Sequence, residues 1–292
     1  MAQSIAVAVI HGAGIQKEDF AEILIENLQK HIQTRMRRSG LPFTSKEFVF
    51  QPVHWGVVFN DKERELWEDV QKGGPLNFTR LRKFFIEFLG DAIAYQPTMR
   101  RHQNYERVHE VYSHALKELS QKAGKDAPLT IIGHSLGTVI TSNFFYDLQE
   151  RPQQTDYLTE MLENASSIEK GETFAQFISL GSPLALWSLR YASFDRPIQV
   201  PAPQFNTIYP TGKGSWINLY DRDDILGYPL RTLSKAYEQA VEEDREMNVG
   251  NLLKNWNPAS HFEYVKDKDI LDLITEKLIR LWLSVNDSNP EF

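Results

Sequence analysis

The sequence predicts an α/β fold, a mostly parallel doubly wound sheet with helices on both faces, and three observations carry that prediction. Short continuous runs of apolar and β-branched residues alternate with longer segments whose apolar residues recur at helical spacing. Most of the runs end in turns rich in glycine or aspartate. At residues 133–137 a strand passes through Gly-His-Ser-Leu-Gly directly into a helix. Alternation of this kind builds strand–helix–strand units, which close with right-handed crossovers into a parallel sheet.

Ile5–Ile10 reads Ile-Ala-Val-Ala-Val-Ile, with no polar residue on either face, and so predicts a central strand that runs out into His11-Gly12-Ala13-Gly14. Phe20, Ile23, Leu24, Leu28, Ile32 and Met36 follow at helical spacing, and Gly40 and Pro42 stop that helix. Arg35, Arg37 and Arg38 fall in its last turn, where cations suit the helix dipole. Phe48–Val53 is the second strand. The rhythm breaks over residues 57–104. There, residues 63–70 form a short polar helix, Gly73-Gly74-Pro75 a break, and residues 78–95 a strongly apolar helix. Leu81, Phe84, Phe85, Phe88, Leu89 and Ile93 cover one face of that helix. The face either packs on the core or belongs to an inserted cap that meets an apolar substrate.

Tyr105, Val108, Val111, Tyr112, Ala115, Leu116 and Leu119 mark the next amphipathic helix, which leads into a strand over residues 128–132. Residues 150–172 are polar and turn-rich, a surface excursion. Phe174–Leu180 is a strand ending in Gly181-Ser182-Pro183, and residues 216–220 another ending in Asp221-Arg222-Asp223-Asp224. Residues 233–247 read as an acidic helix, and Ile270, Leu271, Leu273, Ile274, Leu278 and Leu281 as a C-terminal one. Neither an internal repeat nor a low-complexity linker divides the chain, which points to one domain with an insertion.

A net charge of −7 over 292 residues argues against nucleic acid as the main partner, since phosphate binding needs a basic face. The chain has no cysteine, which removes disulfides, a thiolate nucleophile and thiolate metal sites. Residues 1–4 lack a charged leader and no segment has the length of a transmembrane span, so a soluble cytoplasmic protein is expected. Gly12-x-Gly14 is not a dinucleotide loop, because Lys17 stands at the third glycine position and no acidic residue closes the second strand. Gly212-Lys213-Gly214 lacks the flanks of a phosphate loop. His109 and His114, five residues apart, do not share a helix face, which discounts a metal site. No cofactor and no metal are expected.

Ser135, at the strand-to-helix turn, is the candidate nucleophile. A serine hydroxyl needs a base to take its proton, and the base needs a third group to hold its tautomer. These parts collect just after strands, in the order Ser, acid, His. Of eight histidines, His261 alone follows the acidic cluster, so it is the base. Asp224, followed by Ile225-Leu226-Gly227, is favoured as the acid, with Asp221 next and Asp223 last. The Leu136 amide and that of Ala13, in the glycine-rich loop after the first strand, are the expected oxyanion donors. His11 is read as structural and His134 as pointing away beneath the turn. His54 is read as packing, and His31, His102, His109 and His114 as solvated or capping.

Val9-Ile10-His11-Gly12, Gly133-His134-Ser135-Leu136-Gly137, Leu180-Gly181-Ser182-Pro183-Leu184, the stretch from Asn218 to Asp224-Ile225, and Ser260-His261 together resemble the α/β-hydrolase superfamily, in its lipase and serine-esterase branch. The resemblance implies a single α/β-hydrolase domain over residues 1–292, within which the break in rhythm at about 57–104 reads as a helical insertion that matches no cap assignable to a substrate. It implies Ser135 as nucleophile, His261 as base and Asp224 as acid, with Ala13 and Leu136 supplying the oxyanion hole. The expected activity is cleavage of a small-molecule carboxylic ester through an acyl-enzyme, with an apolar acyl group favoured by the aromatic content. A thioesterase, amidase or acyltransferase would use the same triad, and an idle hydrolase fold would serve as a binding module. The family places a further strand between acid and histidine. Residues 232–256 read mostly helical, so that strand is expected to be missing or displaced.

Overall fold

A computed structural model describes residues 2–97, 103–150, 156–249 and 264–286. Its centre is a six-stranded sheet in the order β2-β1-β3-β4-β5-β6, with every neighbouring pair parallel. The strands are β1 (Ile5–Ile10), β2 (Phe48–Val53), β3 (Leu129–His134), β4 (Phe174–Leu180), β5 (Ser215–Tyr220) and β6 (Val241–Glu246). The helices are α1 (Glu22–Arg38), α2 (Asn60–Lys72), α3 (Thr79–Ala94), α4 (Gln103–Ala123) and α5 (Leu136–Glu150). They continue as α6 (Asp156–Leu162), α7 (Leu184–Trp187), α8 (Phe205–Ile208), α9 (Lys235–Ala240) and α10 (Lys268–Val285).

The central strands lack polar alternation because both faces are covered. In β1, Ala6, Ala8 and Ile10 pack with α4 and α5, whereas Ile5, Val7 and Val9 pack with α1 and α10. The same division separates Phe177 from Ile178 in β4 and Trp216 from Ile217 in β5. Helix α1 presents Leu24, Leu28, Ile32 and Met36 to the sheet. It lies beside α10, where His31 pairs with Asp272 at 2.8 Å and Arg35 with Glu276 at 3.3 Å. Each buried leucine or isoleucine of this kind contributes about 1.5–3 kcal/mol relative to exposure.

The structure corrects two expectations and narrows one alternative that the sequence left open. First, the region read as helix over 233–247 splits into α9 and the strand β6, which pairs in parallel with β5. Its residues, Val-Glu-Glu-Asp-Arg-Glu, carry no apolar alternation because polar contacts hold the strand. The Asp244 carboxylate accepts from the Leu230 amide at 2.9 Å, the Arg231 amide at 2.8 Å and Asn218 Nδ2 at 2.8 Å. Hydrophobic periodicity cannot register such a strand.

Second, of the two readings left open for α3, packing on the core does not describe most of its apolar face. Leu81, Phe85, Leu89 and Ile93 are exposed, as is Phe78 just before the helix, while Phe88 is buried. Third, the stretch 150–172 is more than a surface excursion, because Leu158 and Ile168 are inserted into the core beside α4. Among the described residues no helix is long and apolar enough to cross a membrane.

Asp244→Ala leaves the buried Asn218 amide and two backbone donors short of an acceptor, and is expected to lower the unfolding free energy by about 2–3 kcal/mol. Urea denaturation measures the change, and a loss below about 0.5 kcal/mol would refute this account of β6.

Candidate active site

The site lies at the carboxyl ends of β1, β3 and β5. The turn from β3 into α5 puts Ser135 in the left-handed region at φ 51°, a conformation that costs a non-glycine residue of order 1 kcal/mol or more. The surroundings hold it there. The Ser135 amide donates to the Leu180 carbonyl at 2.9 Å. Thr138 Oγ1 donates to the Ser135 carbonyl at 2.7 Å, which commits the threonine's one hydroxyl proton. The Ser182 hydroxyl, 2.7 Å from Thr138 Oγ1, must therefore donate to it, and it accepts in turn from the Leu184 amide. Gly-Ser-Pro-Leu thus braces the turn from below.

Two glycines of this region are fixed by close approach. A Cβ on Gly137 would lie 2.4 Å from the His11 carbonyl oxygen, and one on Gly12 would lie 2.7 Å from Ser135 Cβ. The loop after β1 therefore runs directly against the serine.

That loop is pinned at both ends. The buried His11 ring stacks on Trp55 at 4.8 Å, its Nδ1 lies 2.7 Å from the Gly12 carbonyl, and its Nε2 accepts from the Gly56 amide. With one nitrogen donating and the other accepting, the ring is neutral, and burial holds its pKa down at about 3. On the far side the Gly14 amide donates to Asp91 Oδ2 at 2.8 Å. Ala13 sits between these two anchors. Among the described residues nothing accepts a hydrogen bond from the amides of Ala13 and Leu136.

The acidic loop after β5 separates its three aspartates. Asp221 accepts the Asp223 amide on Oδ1 at 2.8 Å and the Val249 amide on Oδ2 at 2.6 Å, so both its oxygens serve backbone. Asp223 is exposed. Asp224 is buried, and accepts the Leu226 amide on Oδ1 and the Tyr264 hydroxyl on Oδ2, each at 2.9 Å. The Tyr264 hydroxyl also accepts from the Asp221 amide, and burial beside Asp224 drives its pKa far above the phenolic range. A Cβ on Gly227 would meet Asp224 Oδ2 at 2.7 Å, so the loop closes around that carboxylate. His261 lies outside the described residues.

A cavity of about 230 Å³ opens beside Ser135, lined by Phe20, Leu24, Phe88, Glu87 and His134 among others. His134 therefore lines the site, contrary to the expectation that it points beneath the turn, and its ring lies 6.0 Å from that of Tyr264. His109, read as solvated or capping, is instead fully buried, with Nε2 2.9 Å from the Tyr95 hydroxyl. Burial lowers its pKa to about 3. Gly214 is explained by packing, since a Cβ there would overlap the Ala175 carbonyl. Among the described residues no cluster of three or more histidine or carboxylate groups is arranged to hold a metal.

Sequence reasoning singled out the Gly-Ser-Pro-Leu turn that holds Ser182 but missed Tyr264 and Asp91, which are ordinary turn and helix residues until the chain is folded.

The chain matches no family model, and no curated protein sequence matches it. Two chains of solved structure are similar to it. One is dienelactone hydrolase from Anabaena variabilis, at 12% sequence identity and a TM-score of 0.37, over 95% of this chain and 87% of that one. An overlap of that size says nothing of this chain's chemistry. The α/β-hydrolase fold is assigned on the sheet order and on the placement of the turn after the third strand.

Tyr264→Phe removes the acceptor of the buried Asp221 amide and a donor to Asp224, and is expected to cost about 1–3 kcal/mol of stability. Thermal and urea unfolding of the variant check this, and an unchanged midpoint would contradict the role given to the hydroxyl.

Proposed function

We propose that this protein is a serine hydrolase that cleaves a small-molecule carboxylic ester through an acyl-enzyme on Ser135. The observation that carries the reading is a buried serine, held at φ 51° on a strand-to-helix turn, with the Ala13 and Leu136 amides beside it undonated among the described residues. Those amides are the donors for the oxyanion that forms when Oγ attacks a carbonyl carbon, and one such donor contributes about two to three decades in kcat. Asp224 is the acid. It is buried in a loop that follows a later strand, whereas Asp221 has both oxygens on backbone amides and Asp223 faces solvent.

His261 is the base, and it lies only three residues before Tyr264, whose hydroxyl is bonded to Asp224. His261 takes the serine proton, passes it to the leaving alcohol, and then activates the water that releases the acid. Asp224 holds the imidazole in the required tautomer. No step needs a cofactor or metal. Residues 1–292 are read as one domain, in which the 57–104 insertion borders the cavity through Phe88 and Glu87. Phe20, Leu24 and Phe88 favour an apolar acyl group there. Thioester or amide cleavage and acyl transfer would use the same groups. In the competing reading the fold is idle and only binds.

Assay against p-nitrophenyl esters of graded chain length, with labelling by a fluorophosphonate, separates these readings. Ser135→Ala is expected to lose about four to six decades in kcat. The probe is expected to label Ser135, and His261→Ala to slow that strongly. Labelling elsewhere, or a loss below about tenfold in Ser135→Ala, would overturn the reading.

Asp224→Asn is expected to lower kcat by about three to four decades, because the wrong imidazole tautomer is then held. Asp221→Asn is expected to change kcat by less than about tenfold while lowering stability. The reverse order of kcat effects would move the acid to Asp221.

A further inference from the structure

Glu63 on α2 and Asp91 on α3 are both more than nine-tenths buried. Each keeps one oxygen, Glu63 Oε1 and Asp91 Oδ1, without a hydrogen-bond donor among the described residues. The two carboxyl groups nevertheless lie within hydrogen-bonding reach of each other. Two carboxylates are acceptors only, so an ionised pair at that separation gains nothing and repels. One proton between them converts the contact into an O–H···O⁻ bond, among the stronger bonds available in a buried site.

The other oxygen of Asp91 already accepts the Gly14 amide. That donor favours the charge on Asp91 and leaves the proton on Glu63. We propose that Glu63 and Asp91 share one proton and act as a positioning pair, fixing the loop after β1, and with it the Ala13 amide, against Ser135. The loop-fixing part stands on the Gly14–Asp91 hydrogen bond and on the burial of both acids with one oxygen each unpartnered among the described residues, whereas the effect on catalysis rests on the hydrolase reading.

The charged groups acting on the pair are few. Glu63 faces Asp91, Glu87 and Lys83, all on α3, and Asp91 faces Glu63, Glu87 and the Gly14 amide. Burial is the largest influence on both acids, and it drives the Glu63 carboxyl up to about 9 and that of Asp91 up to about 6. The sign of the linkage follows. From the ordinary carboxyl range up to about pH 9 the folded chain holds a proton that the unfolded chain has released, so stability falls as pH rises through that window and levels off above it. When the proton leaves, two buried charges repel and Asp91 is driven off Gly14.

Two measurements on the full chain test this. Amide hydrogen exchange of residues 12–15, corrected for intrinsic rate, is expected to show protection of the Gly14 amide in the wild type at about pH 6. That protection is expected to fall by about tenfold or more towards about pH 9. Glu63→Gln, which donates at every pH, is expected to keep it. In parallel, kcat for p-nitrophenyl butyrate is expected to fall by about tenfold in Glu63→Ala with KM little changed, and Glu63→Gln is expected to rescue it and flatten the alkaline decline.

Protection of Gly14 independent of pH in the wild type, or a Glu63→Gln exchange profile that superimposes on the wild type's, overturns the shared proton. Glu63→Ala that loses stability but keeps kcat overturns the positioning role. A wild-type chain that neither hydrolyses esters nor takes the fluorophosphonate fails the hydrolase reading instead, and the exchange of Gly14 still decides the pair.

Discussion

Steric closeness at one point governs the rest of this molecule: the backbone leaving β1 passes against the first turn of α5. Gly137 has no room for a methyl group because the His11 carbonyl occupies its place, and Gly12 has none because Ser135 does. Everything nearby serves that contact. The hydroxyl chain from the Leu184 amide through Ser182 and Thr138 holds the turn from one side. The His11 ring and the Asp91 carboxylate hold the loop from the other. The parallel pairing of β1 with β3, Ile10 opposite Gly133, brings the two segments to the same height above the sheet. Ala13 and Leu136 thus belong to two backbone segments held in contact by packing, Gly12 against Ser135 and Gly137 against His11.

The framework was legible in the sequence because it is made of patterns that burial imposes. A strand covered on both faces must be apolar throughout, and Ile5–Ile10 is placed by that rule alone. Helix α1 follows from spacing, and the turn at Ser135 from two glycines flanking a serine at a strand end. Where burial does not set the pattern, reading failed. Strand β6 is held by an aspartate that gathers three donors, so its composition resembles that of an acidic helix. For helix α3 the composition allowed either a core helix or a cap, and it could not foretell that most of the apolar stripe meets solvent while Glu87 and Asp91 turn towards the β1 loop.

Within the candidate site the legible part is what chain order dictates. Spacing brought Asp221, Asp223 and Asp224 to the end of one strand and could go no further, because choosing among them depends on which backbone amides each carboxylate meets after folding. Tyr264, Glu63 and Asp91 were invisible for a related reason. Each gains its role from a partner tens of residues away, and nothing local distinguishes it. His134 shows the opposite error: a variable position within a motif was assigned a direction that the fold does not follow.

The two strands that are outermost among the described residues have a consequence for encounters between copies of the chain. A border strand offers a row of open amides and carbonyls on which another strand can assemble. On one border, β2 carries Pro52, which lacks an amide hydrogen. On the other, β6 carries five charged residues in succession, four of them acidic, so a second copy brought alongside meets like charge at nearly every step. Both ends of this sheet therefore discourage its growth by strand addition, a safeguard against fibrous self-association.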